Sequence, residues 1–298
     1  MMILACPRCH ASLEDMDAVT KTCMKDRLTF YQVNGIWRML LPERERYYTR
    51  FIRDYETIRR AEGRGSANAL YYQTLPYHKT NDWKIRAKSF DVFLRHIIAP
   101  VENGGSALNI LDLGAGNGWL SNRLALRGHF VAAVDLTIND FDGLGCYRYY
   151  DSKFLRIQSE FDHLPWMDHS VDLIVFNASL HYSVNYVETL GESLRVLNQQ
   201  GQLVILDSPI YHEPSSGLGM VSEREAYFVK QYGFASNSLP SENYLTYARL
   251  NELANELNLS WEFATPFYNL KWSLNPSIAR VFHRREPARF HLIIGRQK

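Results

Sequence analysis

Two acids and three glycines at fixed intervals are the residues of this chain best suited to hold a nucleotide-like ligand. Asp112 precedes Gly114, and Gly116 and Gly118 follow at alternate positions, with Ala115 and Asn117 between them. Asp135 comes one helical segment later, with Leu136 beside it. Glycines at this spacing let the backbone turn sharply and approach a ligand with no Cβ in the way. A carboxylate in the position of Asp135 can accept hydrogen bonds from both hydroxyls of a ribose.

The elements that must position these residues follow from the apolar pattern. Residues 108–113 and 130–135 read as strands around a helix over 119–127 that Gly128 ends. Further strands are expected at 171–176, 202–206, 261–264 and 290–294. Val187, Leu190, Leu194 and Leu197 mark one helical face with Gly201 after it, and Leu250, Leu253 and Leu257 mark another. This alternation argues for an α/β fold with a parallel sheet, which places ligands at the carboxyl ends of its strands. The loop does not suit a dinucleotide. Trp119 stands where the third glycine of that fingerprint belongs, and Asp112 would repel a pyrophosphate while attracting an ammonium. Adenosine carrying a zwitterionic methionine fits better.

On these residues the chain resembles the class I S-adenosylmethionine-dependent methyltransferases, over residues 107–208 above all. The resemblance implies S-adenosyl-L-methionine as cofactor and a Rossmann-like, doubly wound sheet of seven strands, the last antiparallel. It implies cofactor binding by Asp112, Gly114, Gly116, Gly118 and Asp135. Residues 160–166 resemble the family's D-x-x-x-L-P-[FW] segment, so Glu160 would take the adenine amino group. Phe161 would offer its backbone N–H and its ring to the adenine. Asp162 and Asp168 are the alternative acids. Asn177 and the residues after it would face the transferring methyl. His181 is a candidate base there, because imidazole titrates near neutrality; a histidine that only lines the pocket is the alternative. Methyl transfer is an in-line displacement with a neutral leaving group, so positioning and exclusion of water can carry much of the rate.

The first forty-one residues read as a separate module. Cys6 and Cys9 form a C-x-x-C knuckle, Cys23 follows, and Asp26 stands where a second knuckle would end. Asn34-Gly35 suits the type I′ turn of a hairpin. This resembles the zinc ribbon of methyltransferase-activator proteins and implies one structural zinc on Cys6, Cys9, Cys23 and Asp26, with His10 as a substitute ligand. A degenerate ribbon with buried thiols is the alternative. Residues 42–106 are expected to form a helical linker and lid carrying Tyr71, Tyr72, Tyr77, His78 and Trp83. Residues 107–298 would be the methyltransferase domain, with an acceptor-side lid inserted at about 209–243.

The totals narrow the choice of partner. A net charge of +1 exerts no general pull on polyanions, which favours a small-molecule acceptor. Four cysteines, three of them near the amino terminus, point to a reducing, cytoplasmic setting rather than a disulfide scaffold. No apolar run reaches membrane-helix length, and the first residues lack the pattern of a signal peptide. Two other functions stay open. One is an rRNA or tRNA base methyltransferase whose ribbon grips RNA through Arg8, Lys21, Lys25 and Arg27; the other is a non-catalytic cofactor-binding scaffold. The oligomeric state is left undetermined.

Overall fold

Near-continuous apolar strands must be covered on both faces, and the computed structural model shows how this chain covers them. It describes residues 2–298 except 79, 237, 271, 273, 274, 276–278, 280, 281, 283 and 284. Four short strands come first: β1 (Glu14–Asp17), β2 (Thr20–Cys23), β3 (Leu28–Val33) and β4 (Ile36–Arg38). They form an antiparallel meander, and Asn34 and Gly35 take the paired positive φ angles, 51° and 72°, of the expected type I′ turn. Helices α1 (Pro42–Ala61), α2 (Ala69–Thr74) and α3 (Asn81–Phe93) follow; α3 runs through a π turn into α4 (Ala99–Asn103).

The alternating region then begins. Strand β5 (Asn109–Leu113), helix α5 (Trp119–Ala125), and strands β6 (Phe130–Asp135) and β8 (Val171–Asn177) lie close to their expected places, and β7 (Leu155–Gln158) is a strand the sequence pattern did not announce. Helix α6 (Tyr186–Val196) passes directly into β9 (Leu197–Leu206). Gly201 therefore lies inside a strand. The pairing of β8 with β9 jumps from Val171↔Leu197 to Leu173↔Gln202, so residues 198–201 bulge out of the ladder. The 209–243 insertion carries β10 (Ile210–Tyr211) and helix α7 (Pro214–Tyr232). After it come β11 (Leu245–Thr246), α8 (Tyr247–Glu256), β12 (Leu259–Ala264) and β13 (Leu292–Gln297).

The main sheet departs from the expected seven strands. Among the described residues it has eleven, in the order β1-β2-β3-β4-β7-β6-β5-β8-β9-β13-β12. Strands β7, β6, β5, β8 and β9 are parallel, and β13 is antiparallel to β9. The extra four are the N-terminal strands. Strand β4 pairs in parallel with β7 through Trp37↔Ile157 and Arg38↔Gln158, and the Met39 amide donates to the Gln158 carbonyl at 2.9 Å. Without that pairing β7 would be a bare edge with unsatisfied backbone groups.

Two cores sandwich the sheet, and the strands alternate between them. Leu111, Leu113, Ala132 and Val134 enter one; Ile110, Val131 and Ala133 enter the other. The first core also takes Cys6, Cys23, Phe30, Trp37 and Met39, so the N-terminal strands share an interior with the parallel sheet. Two residues expected in a lid are also interior: Tyr72 is fully buried, and Trp83 packs edge-on against Trp119.

A shared core predicts joint unfolding. Met39→Ala empties a fully buried site between the two parts, at a cost of about 2–5 kcal/mol. Urea denaturation followed separately by tryptophan fluorescence and far-UV circular dichroism should show one coincident transition at a lower midpoint.

Candidate active site

Strand β5 ends at Leu113, level with Val134 of β6 and Phe176 of β8. Gly114, Asp135 and Asn177 therefore emerge side by side at the carboxyl edge of the sheet. Gly114, Gly116 and Gly118 all have positive φ (76°, 54° and 77°). At Gly114 a Cβ would stand 2.3 Å from Ser179 Cβ, so glycine is required by space as well as by conformation. At Gly116 the nearest atom to such a Cβ is the Asp142 carbonyl at 3.6 Å, so that face of the loop is open to a ligand. Gly118 caps α5 in the left-handed conformation and shapes the turn from behind.

A cleft of two lobes lies over this loop, and Tyr55, Gly114, Gly116, Ala178 and Tyr182 border both. Asp135, Leu136, Glu160 and Phe161 line the narrow lobe. Asp112, Ala115, Asn117, Asn177 and His181 line the broad one. The structure thus gathers residues from five separate stretches of sequence around one cleft.

The acids differ in what they have left to offer. Asp135 Oδ2 accepts from the Gly116 amide at 2.8 Å, and Oδ1 accepts from the Thr137 amide at 2.7 Å and its hydroxyl at 2.6 Å. Three of about four acceptor sites are filled, which aims the carboxylate and leaves Oδ2 room for another donor. Asp112 is 1% exposed; Ser121 Oγ donates to its Oδ2 at 2.7 Å, while Oδ1 has no partner among the described residues. Burial pushes its carboxyl up to about 7.

Glu160 is already engaged. Arg44 of α1 grips both its oxygens, with Nε at 2.7 and 2.9 Å, and the Tyr48 hydroxyl donates to Oε2 at 2.8 Å. His163 Nδ1 lies 2.9 Å from Oε1. Burial pulls the Glu160 carboxyl up, but His163, Arg44 and Tyr48 outweigh it and hold it below its ordinary value. Asp162 also lines the narrow lobe, with Oδ1 accepting from Thr189 at 2.5 Å. Asp168 instead pairs with Arg195 at 2.6 Å, outside the residues that border the cleft.

Several residues of the broad lobe carry no sequence signal. Ala178 and Asp207, each directly after a strand, have positive φ of 56° and 50°, a conformation non-glycine residues adopt at a cost and mostly at functional sites. Asp207 accepts from Ser89 Oγ at 2.6 Å, and burial raises its carboxyl. Arg59 pairs with Asp142 at 2.5 Å, and Arg86 reaches in from α3. Tyr211 and Met220 reach the lobe from the 209–243 insertion. His181 is held neutral: burial first, then the charges of Arg224 and Arg86, lower it to about 3.

At the amino terminus, Cys6, Cys9, Cys23 and Asp26 present one ligand atom each, all within 4.8 Å of one another. Cys6 Sγ is 3.3 Å from Asp26 Oδ2, and Cys9 Sγ is 3.6 Å from Cys23 Sγ. The edge of a tetrahedral zinc–thiolate site is about 3.8 Å, close to these spacings. His10 turns away, with Nε2 3.8 Å from Glu192. Of the cations expected to contact RNA, Arg8 pairs with Glu43 and Lys21 with Asp15.

Comparison with known proteins bears on this cleft. Residues 111–205 match the family described as "Methyltransferase domain". A malonyl-[acyl-carrier protein] O-methyltransferase of Erwinia pyrifoliae is 29% identical over 106 residues, covering 34% of this chain and 37% of that protein. The chain thus matches little more than a third of that relative's length. Among solved structures, the YcgJ protein of Bacillus subtilis aligns with a TM-score of 0.51 at 14% identity, covering 70% of this chain and 98% of that one. An S-adenosylmethionine-dependent methyltransferase from Mesorhizobium loti aligns at 0.50 with 17% identity and the same coverages, 70% and 98%. These likenesses establish the Rossmann-like methyltransferase fold.

Burial of Asp112 makes its pairing with any ligand cation sensitive to pH. Asp112 must ionise to pair with an ammonium, so affinity for S-adenosylhomocysteine should rise as pH increases through about 7. Asp112→Asn should weaken binding by about 10-fold or more and flatten that profile, as read by titration calorimetry.

Proposed function

We propose that this chain is an S-adenosylmethionine-dependent methyltransferase acting on a small-molecule acceptor. The observation that carries the reading is the pairing of an open glycine loop with a buried carboxylate whose second oxygen has no partner among the described residues. A zwitterionic amino-acid tail answers that oxygen with its ammonium, which is the cheapest way to satisfy a buried charge. S-Adenosylmethionine supplies an electrophilic methyl on a sulfonium. Asp112 would hold the ammonium, Asp135 a ribose hydroxyl and Phe161 the adenine face. Either Glu160 or Asp162 would meet the adenine amine; Glu160 can do so only by sharing the oxygens that Arg44 and Tyr48 now hold.

In this reading the chain's part is positioning. The rings of Tyr55 and Tyr182 meet edge to face, 5.9 Å apart at their centroids, where the two lobes join; they would screen the transfer from water. His181, kept neutral, can accept a hydrogen bond from an acceptor hydroxyl or amine, but a site acid of about 3 makes it a weak proton store. The small-molecule acceptor accords with the near-neutral net charge. We also propose a structural zinc on Cys6, Cys9, Cys23 and Asp26, supported by the spacing of their ligand atoms.

Three measurements test these assignments. Titration with S-adenosylhomocysteine should give saturable heat; none from well-folded protein would end the cofactor reading. His181→Ala should lower turnover by about 10-fold or more while leaving cofactor affinity within about twofold. Elemental analysis should return one zinc per chain, and Asp26→Ala should reduce that content along with thermal stability.

A further inference from the structure

We propose that Arg86 anchors the acceptor, and that the acceptor is an organic acid whose carboxylate docks on this guanidinium. The assignment rests on the methyltransferase reading and names the substrate class of the same cleft. Arg86 extends from α3 into the broad lobe, half-buried, with its guanidinium carbon 5.0 Å from the Trp83 ring centroid. Among the described residues it forms no hydrogen bond or ion pair. The other cation of the lobe, Arg59, is taken by Asp142 at 2.5 Å. The carboxylate of Asp207 accepts from Ser89 Oγ at 2.6 Å and feels the charge of Arg86.

A half-buried guanidinium with no hydrogen-bonded carboxylate among the described residues has lost hydration, and stacking on one indole and the field of Asp207 offset only part of that loss. Its planar fork matches a carboxylate bidentately, and such charged hydrogen bonds are the strong ones. Pro209, Tyr211, Met220, Ala288 and Phe290 line the same lobe and supply apolar surface suited to the hydrocarbon body of a small acid.

A carboxylate at this point has two sources, the acceptor or the methionyl tail of the donor. The position of the charge favours the acceptor. Arg86 lines the lobe with His181 and Asp207, which follow β8 and β9, whereas Asp112 lies on β5, and β9 is two strands across from β5 in the sheet. The guanidinium thus serves the end of the lobe away from the donor's ammonium site.

The test uses the full chain with labelled S-adenosylmethionine and a small-molecule cell extract divided by ion exchange into anionic, neutral and cationic pools. Label should pass mainly to acceptors of the anionic pool. Arg86→Gln should cut that transfer by about 10-fold or more, and Arg86→Lys should retain part of it. Calorimetry with S-adenosylhomocysteine and with 5′-methylthioadenosine forms the second arm, and both affinities should stay within about twofold of wild type. Transfer mainly to the neutral or cationic pool, or an unchanged rate in Arg86→Gln, overturns the assignment. So does transfer to no pool by protein that binds S-adenosylhomocysteine. Weaker S-adenosylhomocysteine binding in Arg86→Gln with unchanged methylthioadenosine binding gives the guanidinium to the donor and also overturns it. Wild-type protein that binds no S-adenosylhomocysteine marks failure of the methyltransferase reading itself, a separate result.

Discussion

Parallel pairing of β5 with both β6 and β8, in one register, is the constraint on which the rest of the molecule depends. It sets Leu113 opposite Val134 and Phe176, so three chain reversals occur at the same height of the sheet. Backbone amides released there are satisfied by the neighbouring strand end: the Gly114 and Ala115 amides both donate to the Val134 carbonyl, at 2.8 and 3.0 Å. A slip of one residue would turn Asp112 out of its buried position and exchange the two apolar faces of the strand. Cleft and core are therefore specified by the same hydrogen bonds.

The electrostatics of the cleft follow from enclosure. Charged groups at the sheet edge are cut off from water by α1, α3 and the 209–243 insertion, and each must find a partner or shift its titration. Glu160 finds Arg44 and Tyr48, Asp142 finds Arg59, and His181 loses its proton. Asp112 and Arg86 stand out: among the described residues one Asp112 oxygen has no partner, and Arg86 has no hydrogen bond or ion pair. In the reading proposed above, ligand charges at those two points would complete the network.

The N-terminal strands belong to this economy as well. They do not sit apart as an appendage; they cap the β7 edge and contribute Phe30, Trp37 and Met39 to a common interior. The chain passes from β4 through three residues into α1, whose Tyr48, Phe51 and Tyr55 line the narrow lobe and whose Arg44 holds Glu160 there. The cysteine knuckle is tied to the same helix by the ion pair of Arg8 with Glu43. The expectation of a separate module failed because β4 is too short, at three residues, to announce a partner more than a hundred residues away.

Local pattern was enough for the α/β alternation, the glycine loop, the Asn34-Gly35 turn and the acids at 112 and 135, since each is dictated by backbone conformation or strand period within a few residues. The approach of the three cysteines and Asp26 was also readable from spacing. What lay out of reach were contacts between distant segments: Arg44 on Glu160, Arg86 beside His181, Asp207 in its left-handed conformation, and β4 on β7. Sequence alone determined which edge of the sheet carries the glycine loop and the acids at 112 and 135. Tertiary structure decided which charges there are already spent and which remain for ligands, because pairing and desolvation depend on neighbours that only folding brings together.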